Sequence, residues 1–202
     1  MLGKSLKEQG INENYPKEKE KWYVKVPTFS FSKLSGLDAY LSPEMKSTGE
    51  AIGYDTKLTR ALYKALQASG MNLANYGTLF VSIADKDKEE ALPLVRRFYN
   101  LGFNIEATEG TAAFLKQNGI RTRAKKKISD GSEEILESLR KGYVNYVINT
   151  QEVGSHDEEN DGFEIRRCAV ENNIAMFSAL ETVKVLLDIL EEMTLCISTI
   201  DA

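Results

Sequence analysis

Four short segments of the chain carry residue types suited to holding an anion. Thr108-Glu109-Gly110-Thr111 puts two hydroxyls and a glycine at what reads as a helix start. The free N–H groups of a first helical turn and the hydroxyls beside them can donate together to one anion. Gly110 allows close backbone approach. Lys88 and Lys127 add positive charge from neighbouring segments, and lysine serves well as a point-charge partner of phosphate. Asn149 and Thr150 supply neutral donors and acceptors suited to a base or a sugar. Together these residues describe a pocket for a phosphorylated small molecule, a nucleotide foremost. Thr and Gly at a helix start are, taken alone, ordinary capping chemistry. What singles them out is the convergence of several such loops on one rim.

That convergence depends on the elements between the loops. Residues 77–84 (GTLFVSIA) are short, apolar and rich in β-branched types, which predicts a buried strand. Residues 87–101 follow with helical spacing, Ala91, Leu94, Val95 and Phe98 on one face, and Gly102 ends them. The pattern repeats: strands over 103–107, 120–125, 144–148 and 174–177, helices over 110–118, 132–141, 162–172 and 181–193. In the last helix Val185, Ile189 and Met193 are spaced by four. Strands alternating with helices predict a doubly wound parallel α/β sheet of five strands flanked by helices. Ligands in such sheets sit beyond the carboxyl ends of the strands, where the four segments fall.

Residues 1–73 read differently. Residues 22–32 alternate as a strand, 47–53 turn into a short extended piece, and 56–68 form an amphipathic helix through Leu58, Leu62, Ala65 and Leu66. Trp22, Phe29 and Phe31 are expected in a core. So small a set of elements does not close a fold, and an uncovered strand edge invites aggregation. The expected division is therefore 1–73, an incomplete unit with a linker helix, and 74–202, a complete domain.

Composition excludes several classes. The 202 residues are 42% apolar and 28% charged, ordinary for a globular chain. With 26 basic against 30 acidic residues the net charge is −4, which speaks against a nucleic-acid partner. The basic run 121–127 is local, and Lys125 and Lys126 are expected in solvent. No stretch reaches the roughly 18 apolar residues of a membrane span, and the first ten residues lack a signal-peptide core. Cys168 and Cys196, the two cysteines, fit no metal or disulfide framework. A cytoplasmic protein without a membrane partner is expected. The single histidine, His156, lies in a polar loop, and the acidic run 157–161 lacks calcium-loop spacing. Both are expected to be plain surface, and no metal site is expected.

Pro43-Glu44-Met45-Lys46-Ser47-Thr48-Gly49-Glu50 resembles the PEM-x-STGE motif of the carbamoyl-phosphate synthase large subunit. Gly3-Lys4-Ser5-Leu6 with Glu8-Gln9-Gly10 is similar to its GKSL-x-EQG, and residues 24–27 and 29–33 fit the strand before the first motif. Residues 74–202 then resemble its C-terminal regulatory domain, down to Asp161-Gly162-Phe163 and Ile165-Arg166-Arg167. The resemblance implies a methylglyoxal-synthase-like fold behind the end of an ATP-grasp domain, whose active site would precede Met1. It implies an allosteric effector, UMP, IMP or phosphoribosyl pyrophosphate, in a chain serving pyrimidine and arginine pathways. Its phosphate contacts match Lys88, Thr108, Thr111 and Lys127, with Asn149 and Thr150 near base and sugar and Asp161 on an effector loop. ATP and Mg or Mn belong to the full-length enzyme, and this chain by itself is expected to be inactive and cofactor-free. The expected partners are the rest of the large subunit, the glutaminase subunit and a second copy of the chain. Val26 stands where ornithine-responsive members carry an acid, so no ornithine response is expected. Two alternatives stay open. One is a methylglyoxal synthase, against which Asp130-Gly131-Ser132 replaces that family's Gly-Gly-Asp and removes a carboxylate base. The other is an interaction module with a vestigial pocket.

Overall fold

The computed structural model describes residues 3–12, 18–30, 45–150 and 161–195. Its larger part is the expected parallel sheet. Strands β3 (Thr78–Ser82), β4 (Asn104–Thr108), β5 (Thr122–Lys125), β6 (Val144–Asn149) and β7 (Ala175–Phe177) lie in the order β5-β4-β3-β6-β7. Every neighbouring pair in it is parallel. The connecting helices are α2 (Lys88–Asn100), α3 (Glu109–Gln117), α4 (Glu134–Arg140) and α5 (Asp161–Glu171), and α6 (Leu180–Leu195) closes the chain.

Alternation along β3 explains the two layers. Leu79 and Val81 point to a core shared with Leu94, Val95 and Phe98 of α2, Leu115 of α3, and Val183, Leu186, Leu187 and Leu190 of α6. Phe80 points the other way, to Ile135 and Leu139 of α4 and Ile165 and Ala169 of α5. Consecutive side chains of a strand face opposite sides, so a strand buried on both faces must be apolar throughout.

Three expected strands begin later than the sequence suggested, for one reason. Phe103, Ile120 and Ile174 donate their N–H groups back into the preceding helices, to Phe98, Leu115 and Ala169. Each preceding residue is left-handed: Gly102 (φ 93), Gly119 (φ 76) and Asn173 (φ 55). This is the Schellman ending. The apolar residue after it is buried, yet its N–H belongs to the helix and not to a strand ladder. In α6 the expected face is partly wrong. Ile189 is buried, but Val185 is 37% exposed, and the packed stripe runs through Val183, Leu186, Leu187 and Leu190.

The N-terminal part is a two-stranded antiparallel ribbon, β1 (Trp22–Thr28) and β2 (Gly49–Asp55), with α1 (Leu58–Ala68) across one face. Gly53 makes this packing possible: a Cβ there would lie 2.2 Å from the Ala61 carbonyl oxygen and 2.3 Å from the Ala65 nitrogen. The buried residues of α1 are accordingly Ala61 and Ala65, while Leu58, expected inside, is exposed. Trp22 is also exposed, contrary to expectation, and Phe29 is half-buried; Phe31 lies outside the described residues. α1 also meets α6, where the Thr59 hydroxyl donates to Glu192 and Lys57 and Arg60 stand 3.8 Å from the same carboxylate. Among the described residues no helix is long and apolar enough to cross a membrane.

Candidate functional site

In this strand order the chain leaves β3 toward one side and β6 toward the other, which opens a crevice at their carboxyl ends. Two threonines border it, each held by one of two successive N–H groups beyond β3. Ile83 donates to Thr111 Oγ1 at 3.3 Å, and Ala84 donates to Thr150 Oγ1 at 2.9 Å. The Thr150 N–H in turn donates to the Ser82 carbonyl at 3.1 Å. Thr108 donates its hydroxyl to Thr111 at 3.2 Å.

That last bond bears on the capping alternative. Thr108 is the N-cap of α3, yet its side chain makes no capping hydrogen bond. The first-turn N–H groups of α3 are therefore without the partner an N-cap threonine ordinarily supplies. Lys88 lies over this helix start: a Cβ at Gly110 would stand 3.9 Å from Lys88 Nζ, and that nitrogen is 6.0 Å from the centre of the Phe114 ring. Lys88 also pairs with Asp85 at 2.6 Å. The Asp85 carboxyl is held below its ordinary range, first by that hydrogen bond, then by the charge of Lys88, and further by the charge of Lys127. Lys127, exposed at the end of the loop after β5, thus shares an electrostatic neighbourhood with Lys88 and Asp85.

Asn149 is the last residue of β6, opposite Ser82. It is 2% exposed and accepts a hydrogen bond from Arg166 Nη1 at 2.9 Å. Asp161, at the start of α5, accepts from the backbone N–H and the hydroxyl of Ser129 at 2.9 and 3.2 Å. Both its oxygens are thereby tied to the turn after β5. The structure thus gathers Lys88, Thr108, Thr111, Asn149 and Thr150 about the ends of β3, β4 and β6, with Lys127 near by.

Lys125 is a correction. It is not in solvent: its side chain is 13% exposed and lies 3.6 Å from buried Glu106, which also faces Arg123 at 3.3 Å. Because Lys125 pairs with Thr108 at the end of β4, its side chain follows the pleat to the Glu106 face. Lys126 is exposed as expected. Cys168 is buried and free, its thiol raised by burial. His156, residues 157–160 and Cys196 lie outside the described residues. No metal-holding cluster occurs among the described ones. Arg166 is the site residue that sequence reasoning missed. Its signal was a charged residue placed one turn before Ala169, on the packed side of an amphipathic helix.

Residues 90–178 match the family model of the MGS-like domain. Among solved structures, a methylglyoxal synthase from Elizabethkingia anophelis NUHP1 is similar at 20% identity, with a TM-score of 0.46, over 57% of this chain and 79% of that one. The protein ForH is similar at 19% identity, with a TM-score of 0.43, over 58% of this chain and 81% of that one. An MGS-like domain is a fold found in methylglyoxal synthase and in carbamoyl-phosphate synthase regulatory domains.

Proposed function

We propose that residues 74–202 are the allosteric domain of a carbamoyl-phosphate synthase large subunit, and that residues 1–73 are the end of its ATP-grasp domain. The MGS-like domain would bind a phosphorylated effector, UMP, IMP or phosphoribosyl pyrophosphate, at Lys88, Thr108, Thr111 and Lys127, with Asn149 and Thr150 beside them and Asp161 on the flanking turn. The observation that carries this reading is the start of α3, where the N-cap threonine leaves the first-turn amides to another partner and Lys88 lies across them. Backbone donors, hydroxyls and an ammonium on one rim suit a phosphoryl group. In this reading ATP, Mg or Mn and the glutaminase subunit belong to the assembled cytoplasmic enzyme, and the chain by itself makes no carbamoyl phosphate. Regulation then requires that the effector bind two enzyme states with different affinity. The contact of α1 with α6 through Glu192 joins the two parts and is the route by which such a difference would travel.

Titration calorimetry of the chain with the three effectors tests the reading. At least one should bind, and Thr108→Ala should weaken it by about 1–3 kcal/mol, the range of hydrogen bonds to a charged group. Failure of all three at millimolar concentration would overturn it.

A further inference from the structure

We infer that Asp85 is a specificity-determining residue of the anion rim: its carboxylate occupies Lys88 as a built-in counter-anion, and this turns the rim toward a single phosphoryl group and against a diphosphate. The inference rests on the reading of the rim as an anion site and says how much charge the ligand brings.

The two partners of this pair are held very differently. Lys88 is the first residue of α2, and its side chain is 18% exposed. Its ammonium lies beside Gly110 at the start of α3 and 6.0 Å from the centre of the Phe114 ring, within the range at which a ring face attracts a cation. Asp85 opens the short helical turn Asp85–Asp87 beyond β3, and its side chain is 85% exposed. Its only bonded partner among the described residues is Lys88, at 2.6 Å. Two torsions are enough to swing this carboxylate into solvent while the ammonium stays where it is.

An exposed pair three residues apart adds little to folding. Its consequence lies in the charge it withholds. A phosphoryl group at the start of α3 meets the same ammonium. Sharing it sets two like charges against each other, and displacing Asp85 forfeits the pair. Either way the carboxylate subtracts from the affinity of the ligand. The charge of Lys127 also acts on Asp85. Such an interaction is mutual, so the second rim lysine is offset as well.

The subtraction grows with the charge of the ligand. A phosphate monoester dianion is matched by Lys88 and Lys127. A diphosphate brings more negative charge, and where a third cation would help it, it finds Asp85.

The test is titration calorimetry of the chain itself with inorganic phosphate and with pyrophosphate, at a pH where phosphate is the dianion. Asp85→Asn should tighten phosphate binding by about threefold to tenfold, the scale of an ion pair near the surface. It should tighten pyrophosphate binding by a larger factor. Asp87→Asn is the control: it removes the same charge from the same turn, but Asp87 pairs with no lysine among the described residues. Its gain should stay below about twofold. In a Lys88→Gln background the gain from Asp85→Asn should shrink to that of the control. Thermal unfolding checks that each variant folds, and Asp85→Ser repeats the charge removal should asparagine disturb the turn. Phosphate binding unchanged or weakened by Asp85→Asn would overturn the inference and leave the anion site in place. So would equal gains from Asp85→Asn and Asp87→Asn, or a gain no larger for pyrophosphate than for phosphate. Binding by Asp85→Asn and not by the unsubstituted chain would support it. No binding by either would remove the anion site and the inference together.

Discussion

The parallel sheet and the β1–β2 ribbon use apolar residues in opposite ways. In the sheet, Leu79, Phe80 and Val81 run consecutively and all three are buried, because helices cover both faces. In the ribbon, Tyr23, Ile52 and Tyr54 share an exposed outer face, and Trp22 is exposed at its end. Among the described residues only the inner face, through Ala51 and Gly53, packs on a helix. Side chains as large as these add their full stabilisation only when something covers them. The sheet is therefore covered on both faces, whereas the outer face of the ribbon is uncovered among the described residues. Contiguous exposed aromatics of this kind mark a surface that meets another surface. In the proposed function, that surface is the rest of the ATP-grasp domain.

The contrast can be broken most forcefully at Phe80. Phe80→Ala should destabilise the domain by about 3–5 kcal/mol, read by urea unfolding, with the whole parallel sheet melting together. Next comes Gly53→Ala, which drives a methyl into the backbone of α1. The expected loss is about 1–3 kcal/mol, the usual range for overpacking, and it should be confined to one region. Hydrogen exchange should speed up in β2 and α1 and stay unchanged in β3 and β6. Equal acceleration in both would mean that the two parts unfold as one. Tyr54→Ala on the outer face should change the stability of this chain by no more than about 0.5 kcal/mol. A loss as large as at Phe80 would show the face to be a packed core.

The smallest effect is visible only in acid. The Asp55 carboxyl is lowered from 3.8 to about 2, chiefly by the hydrogen bond from Lys64 on α1. A carboxyl lower in the folded state adds stability above its unfolded pKa and loses it as pH falls through the folded one. Protection of β2 and α1 should thus decline between pH 3.8 and about 2. Asp55→Asn should flatten that decline, again by hydrogen exchange, and an unchanged pH profile would exclude the clamp.

Why the sequence revealed the sheet more fully than the ribbon follows from the same contrast. Periodicity reports burial, so the strand runs around Val81 and Val147 and the α2 stripe were legible to within a residue or two. Where a residue is buried but bonded elsewhere, as at Phe103, Ile120 and Ile174, hydrophobicity misplaces the strand start. In the ribbon the large residues face outward and alanines face in, so reading size as burial misled at Trp22 and Leu58. At the rim, residue types named Lys88, Thr108, Thr111, Asn149 and Thr150. Type alone cannot say that an asparagine has already given up its carbonyl. That depends on Arg166, distant in sequence and reached only through the packing of α5 on β6.

The position of that bond has a mechanical side. Thr111 belongs to the helix layer on one side of the sheet, and Asn149 is held by α5 from the layer on the other side. A single small anion gripped by both would be a tie rod between the two layers. Its arrival would stiffen the two sides in concert, and its departure would let each relax at its own pace.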